Sequence, residues 1–560
     1  MSRTLRAMPE IPELSTKWSD YEHHFRRLES TDLAKANLQD WLSAWSDLQT
    51  KVRGVETRLR WAAYGDLGDE DAQLAYDEFN GKLLPKVEGF SNKLKEKFLS
   101  VADANEPRYQ QMIKTFGAEI RVYSEDNAEL TAEHKVLSEK FDRIFGRLKV
   151  AIDGKEVSFG ETADLLVNKD RVVREKGWKA RWEARLSQEK DFDKLYIALL
   201  KKRQNIAQNA GFGNYRDYRW LEWGRFDYEP NDCFIFAEAI QEEIVPLLKK
   251  VRGYRKKLLG LKKLRPWDSS VYPFETEILS PFTGVVDLKE KTRRVLEGLD
   301  AEMHSLFTEL IEQSMLDISP RENKSLFEYA DFDYITGLPV IFLNCFGRHS
   351  DIHALFHEFG HAFHYKSTMR NPLYWNQWGR MEVMEFSAQT LELLAIPFLD
   401  EYFEQNQVDM VRFLFFERIL ASLTFIPILD LFQHWVYTQD YATLTPAMLD
   451  RKYSELANQY SVGINWDNLD EQRAKGWYFS HIFREAFYYI EYGFAWIGAL
   501  DVYGRYKEKP SQALSKFKDA LALGKKTSIS TIFRSAGSQF PIQKSDVKRA
   551  ARLIEKELNL

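Results

Sequence analysis

The chain has 560 residues, which is ample for a large hydrophobic core and predicts two or more lobes. Gly (28) and Pro (17) are scarce, and long segments rich in Leu, Lys, Glu and Ala run between them, so we predict a mainly helical protein. The net charge of -6 excludes a global basic field of the kind that draws a protein to nucleic acid or anionic lipid.

Two features bear on the compartment in which the protein works. The amino-terminal stretch MSRTLRAMPEIPELSTKW lacks the apolar segment of a secretory signal, and no run downstream approaches the ~18 apolar residues that a membrane helix requires. Two cysteines, Cys233 and Cys345, are too few for a disulfide framework and fit reducing surroundings. We therefore expect a cytoplasmic protein that interacts with neither membranes nor nucleic acid.

The first part of the chain predicts a series of amphipathic helices. Apolar residues recur with helical spacing in several stretches, among them Leu33 to Val52, Asp71 to Phe79 and Leu130 to Phe145. We interpret Gly54 and Gly65 as breaks between such helices.

A β-hairpin is predicted where this helical pattern stops. The segment GRLKVAIDGKEVSF alternates apolar and polar residues on both sides of Asp153-Gly154, a pair typical of a two-residue turn. We therefore predict an N-terminal helical lobe over residues 1–165, with the hairpin near its end, and a second region over residues 166–560.

The second region is again mostly helical, with one short strand. A helix is predicted from Phe234 to about Leu259. Farther on, Gly337-Leu338-Pro339 precedes the apolar run from Val340 to Leu343, which predicts a strand. Two interpretations of this strand are open: its edge, at Val340 and Ile341, binds an extended peptide through main-chain hydrogen bonds, or it is a core strand of a small sheet.

The stretch DIHALFHEFGHAFH, residues 351 to 364, carries a metal-binding motif. His357 and His361 lie one helical turn apart, so both imidazoles can bind one metal ion, and Glu358 can reach a water molecule on that metal. His353 and His357 have the same spacing, but a carboxylate follows only His357, which favours the 357/361 pair. We interpret His353 and His364 as packing residues or as partners of the ligands.

A catalytic zinc ion usually takes three protein ligands and keeps a fourth position for water. The segment GRMEVMEFSAQTLELLAIP, shortly after the motif, predicts a helix with carboxylates on it. Its candidates for the third ligand are Glu382, Glu385 and Glu392, and spacing alone does not choose among them.

The two motifs together resemble the thimet oligopeptidase family of zinc peptidases, and specifically its oligoendopeptidase F and Pz-peptidase branch. The resemblance rests on His357-Glu358-Phe359-Gly360-His361 followed by Met384-Glu385-Phe386-Ser387-Ala388. It extends to segments on both sides of these motifs: Asn214 to Tyr218, Gly224 to Tyr228, Leu264 to Asp268, His481, and Phe487 to Tyr492.

This resemblance implies a fold and a set of roles. It implies two helical lobes around a deep substrate channel, with a small β-sheet beside the zinc-binding helices. It also implies Glu385 as the third ligand of one zinc ion per chain. In the family, a histidine and tyrosines hold the substrate and stabilise the tetrahedral intermediate, and these roles fall on His481, Tyr489 and Tyr492, with Tyr488 as a further substrate-binding residue. Spacing by itself suggests that these tyrosines gather on one helix face.

We therefore predict a zinc-dependent endopeptidase, a monomer or homodimer, that cleaves short unstructured peptides with Glu358 as general base. Two rival hypotheses remain. One is a zinc metallocarboxypeptidase of related helical fold, and the other is a non-catalytic peptide-binding protein that keeps the fold.

Overall fold

The computed structural model of the protein describes residues 11–273 and 279–560. The amino-terminal stretch on which the expectation about secretion depends therefore lies largely outside the described residues. Among the residues that are described, no helix combines the length and the apolar character needed to cross a bilayer.

Helices dominate the described chain, which confirms the predicted mainly α class. The α-helices, in chain order, are α1 (Trp18–Ser30), α2 (Leu38–Gly65), α3 (Glu70–Glu78), α4 (Leu84–Val101), α5 (Gln110–Val122), α6 (Ala128–Gly146), α7 (Ala163–Leu166), α8 (Arg171–Leu186), α9 (Glu189–Asn209), α10 (Tyr215–Glu222), α11 (Pro230–Ala239), α12 (Val245–Leu258), α13 (Val285–Leu299), α14 (Ala301–Glu312), α15 (His349–Thr368), α16 (Met381–Leu394), α17 (Gln405–Val436), α18 (Pro446–Tyr460), α19 (Asp470–Ala474), α20 (Ser480–Arg484), α21 (Ile490–Glu508), α22 (Pro510–Leu521), α23 (Ile529–Ser535) and α24 (Lys544–Glu557).

Two small sheets accompany these helices. Their strands are β1 (Lys149–Ile152), β2 (Lys155–Ser158), β3 (Leu316–Asp317), β4 (Tyr329–Asp333) and β5 (Leu338–Phe342). β1 and β2 form the predicted hairpin. Its turn places Asp153 at φ 53° and Gly154 at φ 74°, the left-handed backbone that a tight two-residue turn requires.

The second sheet decides between the two interpretations of the strand at Val340. The strand order is β3-β5-β4, with β5 parallel to β3 and antiparallel to β4. β5 is therefore the central strand, and Val340 and Ile341 are 4% and 0% exposed. The edge interpretation of these two residues is wrong, because β3 and β4 already occupy the two sides of β5. The core-strand alternative is the one that the structure contains.

The chain forms two compact units, each made of three separate segments. Of the described residues, the first comprises 11–121, Leu279–Val408 and Gly498–Phe540, and the second comprises 122–273, Asp409–Ile497 and Pro541–Leu560. These limits differ from the predicted division at residues 165 and 166, because helices far apart in the sequence pack into the same unit.

Two helix predictions need correction. Gly54 lies inside α2 and does not break it. A side chain there would place its Cβ 3.2 Å from Cγ1 of Ile335, so the glycine allows α2 to pack closely on the β4–β5 turn. The helix predicted from Phe234 to Leu259 is interrupted by a π-helical turn, Ile240–Ile244, which precedes Pro246, a residue with no N–H for regular helix pairing.

Within the first unit, the β3-β5-β4 sheet packs against α15, and α15 packs against α16. One apolar cluster joins all three elements, with Phe332 from β4, Tyr365 from α15 and Met384 from α16 in contact. Burying such side chains stabilises a fold by about 1.5–3 kcal/mol each. The sheet therefore supports the two helices that carry the sequence motifs, as the small sheet beside these helices was expected to do.

Candidate active site

Hydrogen bonds to Asp351 fix the N-terminus of α15, the helix that carries the histidine motif. The Asp351 carboxylate accepts hydrogen bonds from the N–H groups of Phe346, Gly347 and Arg348 at 2.6, 2.8 and 3.0 Å. These donors lie in the loop and at the N-cap directly before α15, so the carboxylate in the first turn fixes the chain that enters the helix. The start of α15 is thereby held firmly, which positions the histidines farther along.

The predicted metal ligands lie together. His357 and His361 project from α15 with ring centroids 4.8 Å apart, and Glu385 reaches them from α16. One donor atom from each of the three residues lies within 4.8 Å of the other two. His357 Nε2 is 3.4 Å from Glu385 Oε2. Two imidazoles and a carboxylate at this spacing are a donor set suited to a catalytic zinc ion.

Glu392, another of the three candidates for the third ligand, has a different position. Its Oε1 lies 2.8 Å from Nδ1 of His357, on the side of the ring that faces away from Glu385. A carboxylate bound to Nδ1–H fixes the orientation of an imidazole and leaves Nε2 to a metal. Glu382, the remaining candidate, is buried on α16 but is not among the donors that converge with the histidines.

Burial and neighbouring charge set the protonation of these groups. Burial acts to lower the pKa of His357, but hydrogen bonds and charges from Glu385 and Glu392 outweigh it and raise this pKa well above the ordinary value. Burial lowers the pKa of His361 to about 4, which favours the neutral imidazole that a metal needs. Burial also raises the pKa of the Glu358 carboxyl to about 7, against the opposing charge of His357.

A close backbone contact holds the two ligand-bearing helices together. An added Cβ at Gly360 would lie 2.6 Å from Cα of Ala388, so no larger residue fits there without a shift of the helices. Across the same contact, Ser387 Oγ donates a 2.8 Å hydrogen bond to the Gly360 carbonyl. The glycine between Glu358 and His361 therefore sets the distance from α15 to Glu385.

The edge strand beside Glu358 is β4, which the sequence analysis did not single out. The N–H of Ile341 donates a hydrogen bond to the Met315 carbonyl and therefore points away from β4. Ala330 is the residue of β4 directly opposite Ile341. In an antiparallel pair, opposite residues point their N–H groups either both inward or both outward, so the Ala330 N–H points away from β5. The Ala330 N–H lies near the Glu358 carboxyl and acts to lower its pKa, against the larger effect of burial. Glu358 is therefore next to the outer edge of a strand.

The other three histidines of α15, His349, His353 and His364, lie outside the ligand set. Within the described residues, neither His353 nor His364 belongs to the donors that converge with Glu385. His364 is fully buried and packs against Gly379, and burial lowers its pKa to about 3. The sequence interpretation of His364 as a packing residue agrees with this environment.

The second unit brings the predicted His and Tyr residues together. The ring of His481 lies 5.0 Å from that of Tyr489, 5.8 Å from that of Tyr488 and 6.3 Å from that of Tyr492. All four side chains are partly exposed, although Nδ1 of His481 is buried. The expectation that the tyrosines share a helix face is wrong, however. Only Tyr492 lies in α21, and Tyr488 and Tyr489 precede it, directly after Phe487 at φ 66°.

Three arginines stabilise this non-helical segment and the short helix α20 that precedes it. Arg203 donates to the Ile482 carbonyl at 2.9 Å, Arg219 donates to the Ala486 carbonyl at 3.2 Å, and Arg225 donates to the Phe487 carbonyl. Arg225 also forms a fully buried ion pair with Glu491 at 2.9 Å. Sequence reasoning assigned these arginines no role, although Arg219 and Arg225 lie in or beside the segments on which the family resemblance rests.

Comparison with known proteins agrees with this geometry. The chain matches the sequence profile of Peptidase family M3 over residues 165–552. It is 21% identical over 504 residues to Oligopeptidase PepF of Bacillus subtilis, with 82% of this chain and 71% of that protein covered. It is 22% identical over 393 residues to Oligopeptidase A of Haemophilus influenzae, with 57% of this chain and 56% of that protein covered.

A solved structure has the same fold. PZ peptidase A, crystallised with an inhibitor, superposes with a TM-score of 0.89 at 23% identity and covers 99% of this chain and 98% of its own. The family profile spans more than half of the chain and includes both helices that bear the converging His and Glu residues. The chain therefore belongs to peptidase family M3 and is a metalloendopeptidase.

Proposed function

We propose that this protein is a zinc-dependent oligopeptidase that hydrolyses internal bonds of short, unstructured peptides. The observation that carries the proposal is the convergence of His357, His361 and Glu385 beside the buried carboxyl of Glu358. The names of its relatives Oligopeptidase PepF and Oligopeptidase A support peptides as the substrate class.

The residues present fit one zinc ion. Two imidazoles and one carboxylate are a common protein donor set for catalytic zinc, and the buried Nδ1 of His361 has no hydrogen-bond partner among the described residues. Glu392 completes the set by orienting His357. Zinc bound by these residues supplies Lewis-acid polarisation of the scissile carbonyl and a water of lowered pKa.

Glu358 is assigned the proton transfers. With a pKa near 7 from burial, its carboxylate can take a proton from the attacking water and its carboxylic acid can release that proton to the leaving amine. A group whose pKa is close to the working pH performs both steps with small barriers.

The substrate backbone is assigned to the outer edge of β4. Ala330 turns its N–H outward there, beside Glu358, so an extended peptide could pair with this edge through main-chain hydrogen bonds. The proposal also retains His481, Tyr489 and Tyr492 as donors to the developing oxyanion, with Tyr488 as a substrate contact. Their side chains are partly exposed, and the ion pair of Arg225 with Glu491 holds the segment in place.

Substitution of Glu358 tests the proposal. Glu358→Gln should leave zinc content unchanged and lower kcat on a quenched fluorescent peptide by about two to four orders of magnitude. The control is Glu312→Gln at the exposed end of α14, which should retain full activity. Wild-type turnover by Glu358→Gln would refute the role of this residue.

The cleavage products separate this function from its closest rival. A peptide blocked at both ends should be cut internally, and mass spectrometry should detect two blocked fragments. Release only of terminal residues, and only from unblocked peptides, would favour a metallocarboxypeptidase instead.

A further inference from the structure

A second group of metal-binding side chains lies in the other compact unit. Cys233 on α11 meets Asp430 and His434 on α17, and one donor atom from each residue lies within 4.8 Å of the other two. All three residues are buried, at 0%, 1% and 2% exposure. The mechanism proposed above uses none of them. We propose that these three residues form a second, structural zinc site, in addition to the ion of the active site.

The spacing of the donors suits a metal. Asp430 and His434 are four residues apart on one helix, and Oδ2 of the carboxylate lies 3.3 Å from Nε2 of the imidazole. Ligands of a tetrahedral zinc ion lie about 3.3–3.8 Å apart, given bonds of ~2.0–2.3 Å. The Asp–His pair already has this separation, and the Cys233 sulfur lies within 4.8 Å of a donor atom of each.

The hydrogen bonding of the pair supports the same assignment. Within the described chain, neither ring nitrogen of His434 and neither carboxylate oxygen of Asp430 makes a hydrogen bond. Buried polar atoms without partners are costly, typically by about 1–3 kcal/mol each. The two atoms are 3.3 Å apart but are not aligned as donor and acceptor. Such an arrangement is expected when a carboxylate oxygen and an imidazole nitrogen both point their lone pairs at one cation.

The charge of the site also matches a divalent cation. A thiolate and a carboxylate carry two negative charges, and the imidazole is neutral when it binds a metal. Three aromatic rings surround His434, those of Phe234, Phe487 and Trp220, at 4.9, 5.1 and 5.7 Å. These rings offer no strong acceptor to the imidazole and keep water away from it. Phe234 is 37% exposed, so one of the three rings around His434 reaches the protein surface.

The combination of sulfur, nitrogen and oxygen donors selects the metal. Thiolate with imidazole favours zinc over the hard cations magnesium and calcium, which prefer oxygen ligands. Three protein ligands leave the fourth tetrahedral position to water or to a small anion.

A metal here would stabilise the segment that bears the active-site tyrosines. Gln433, next to His434, accepts a 2.8 Å hydrogen bond from the N–H of Phe487, and the ring of Phe487 packs on His434. Tyr488 and Tyr489 follow directly. An ion bound by residues of both α11 and α17 would therefore stabilise the surface of α17 that contacts Phe487 and the residues after it.

Cobalt provides a test specific to this site. A cobalt–thiolate bond gives a charge-transfer band in the near ultraviolet, and the donors His357, His361 and Glu385 contain no sulfur. The full-length apoprotein should bind about two Co²⁺ ions per chain and develop this band. Cys233→Ser should bind about one ion and lack the band, whereas Cys345→Ser, which alters the other buried cysteine, should match the wild type.

The outcomes separate this proposal from the proposed function. His357→Ala should lose the active-site ion and peptidase activity but keep the thiolate band. A wild-type protein without the band, or a band that persists in Cys233→Ser, would overturn the second site and leave the peptidase proposal intact. If Cys233→Ser does not fold, X-ray absorption of zinc-loaded His357→Ala decides. A zinc–sulfur distance of ~2.3 Å supports the site, and nitrogen and oxygen neighbours alone refute it.

Discussion

Replacing Gly360 with Ala probes the contact that holds the ligand-bearing helices together. The new Cβ would lie 2.6 Å from Cα of Ala388 and 2.9 Å from the Ser387 carbonyl oxygen. Carbon atoms pack best at about 3.5–4.0 Å, so α15 and α16 would have to separate by roughly 1 Å. Both obstacles are backbone atoms, which cannot rotate away as the end of a side chain can.

The size of the effect follows from three contributions. Overpacking costs about 1–3 kcal/mol, and loss of the 2.8 Å hydrogen bond from Ser387 to Gly360 costs about 1 kcal/mol more. The higher helix propensity of Ala offsets about 1 kcal/mol. We therefore expect Gly360→Ala to lower the free energy of unfolding by about 1–3 kcal/mol. Because a shift of ~1 Å also moves His357 and His361 away from Glu385, zinc affinity should fall by about tenfold or more.

Urea denaturation of the metal-free protein and zinc competition against a chromophoric chelator measure the two effects separately. The matched control is Gly117→Ala in α5, where an added Cβ meets no atom within 4 Å. This control should be stabilised by up to ~1 kcal/mol and should bind zinc as the wild type does. Equal stability of the two variants, or unchanged zinc affinity in Gly360→Ala, would refute the role assigned to the close contact.

Three further predictions concern the surroundings of the site. Glu392→Ala should reduce zinc affinity by about 10–100-fold because His357 loses the carboxylate that orients it, and unchanged affinity in a chelator competition would contradict this. Arg225→Leu should destabilise the protein by about 3–5 kcal/mol because the buried Glu491 carboxylate loses its ion pair with Arg225; the double variant Arg225→Leu/Glu491→Leu should recover part of this loss in urea titrations. Ile341→Val should cost about 0.5–1.5 kcal/mol of stability and leave KM for peptides unchanged, whereas a raised KM would restore the strand-edge role of this residue.

Local features of the fold could be predicted well from the sequence. The β1–β2 hairpin follows from alternating residues around Asp153-Gly154, and the pairing of His357 with His361 follows from one helical turn. Both patterns depend on residues a few positions apart. Helix boundaries were less predictable. Gly54 lies inside α2 because it packs closely against Ile335, and this contact with a residue almost three hundred positions away cannot be inferred from the local sequence.

Long-range packing decided the remaining features of the site. Spacing alone left Glu382, Glu385 and Glu392 open as the third ligand, and the contact of α15 with α16 brings Glu385 to one side of His357 and Glu392 to the other. Strand order, which no local pattern encodes, places β4 and not β5 at the sheet edge.

The sequence by itself determined the helical class, the histidine pair, the adjacent glutamate and the resemblance to a peptidase family. These properties depend on composition and on spacing within one or two helical turns. Only the tertiary structure brought Glu385, which the family resemblance had implied, to the histidines, and only it decided that β4 lies at a sheet edge and that Cys233 lies beside Asp430 and His434. Each of these results depends on which helices and strands pack together, and that choice is made by side-chain contacts between residues distant in the chain.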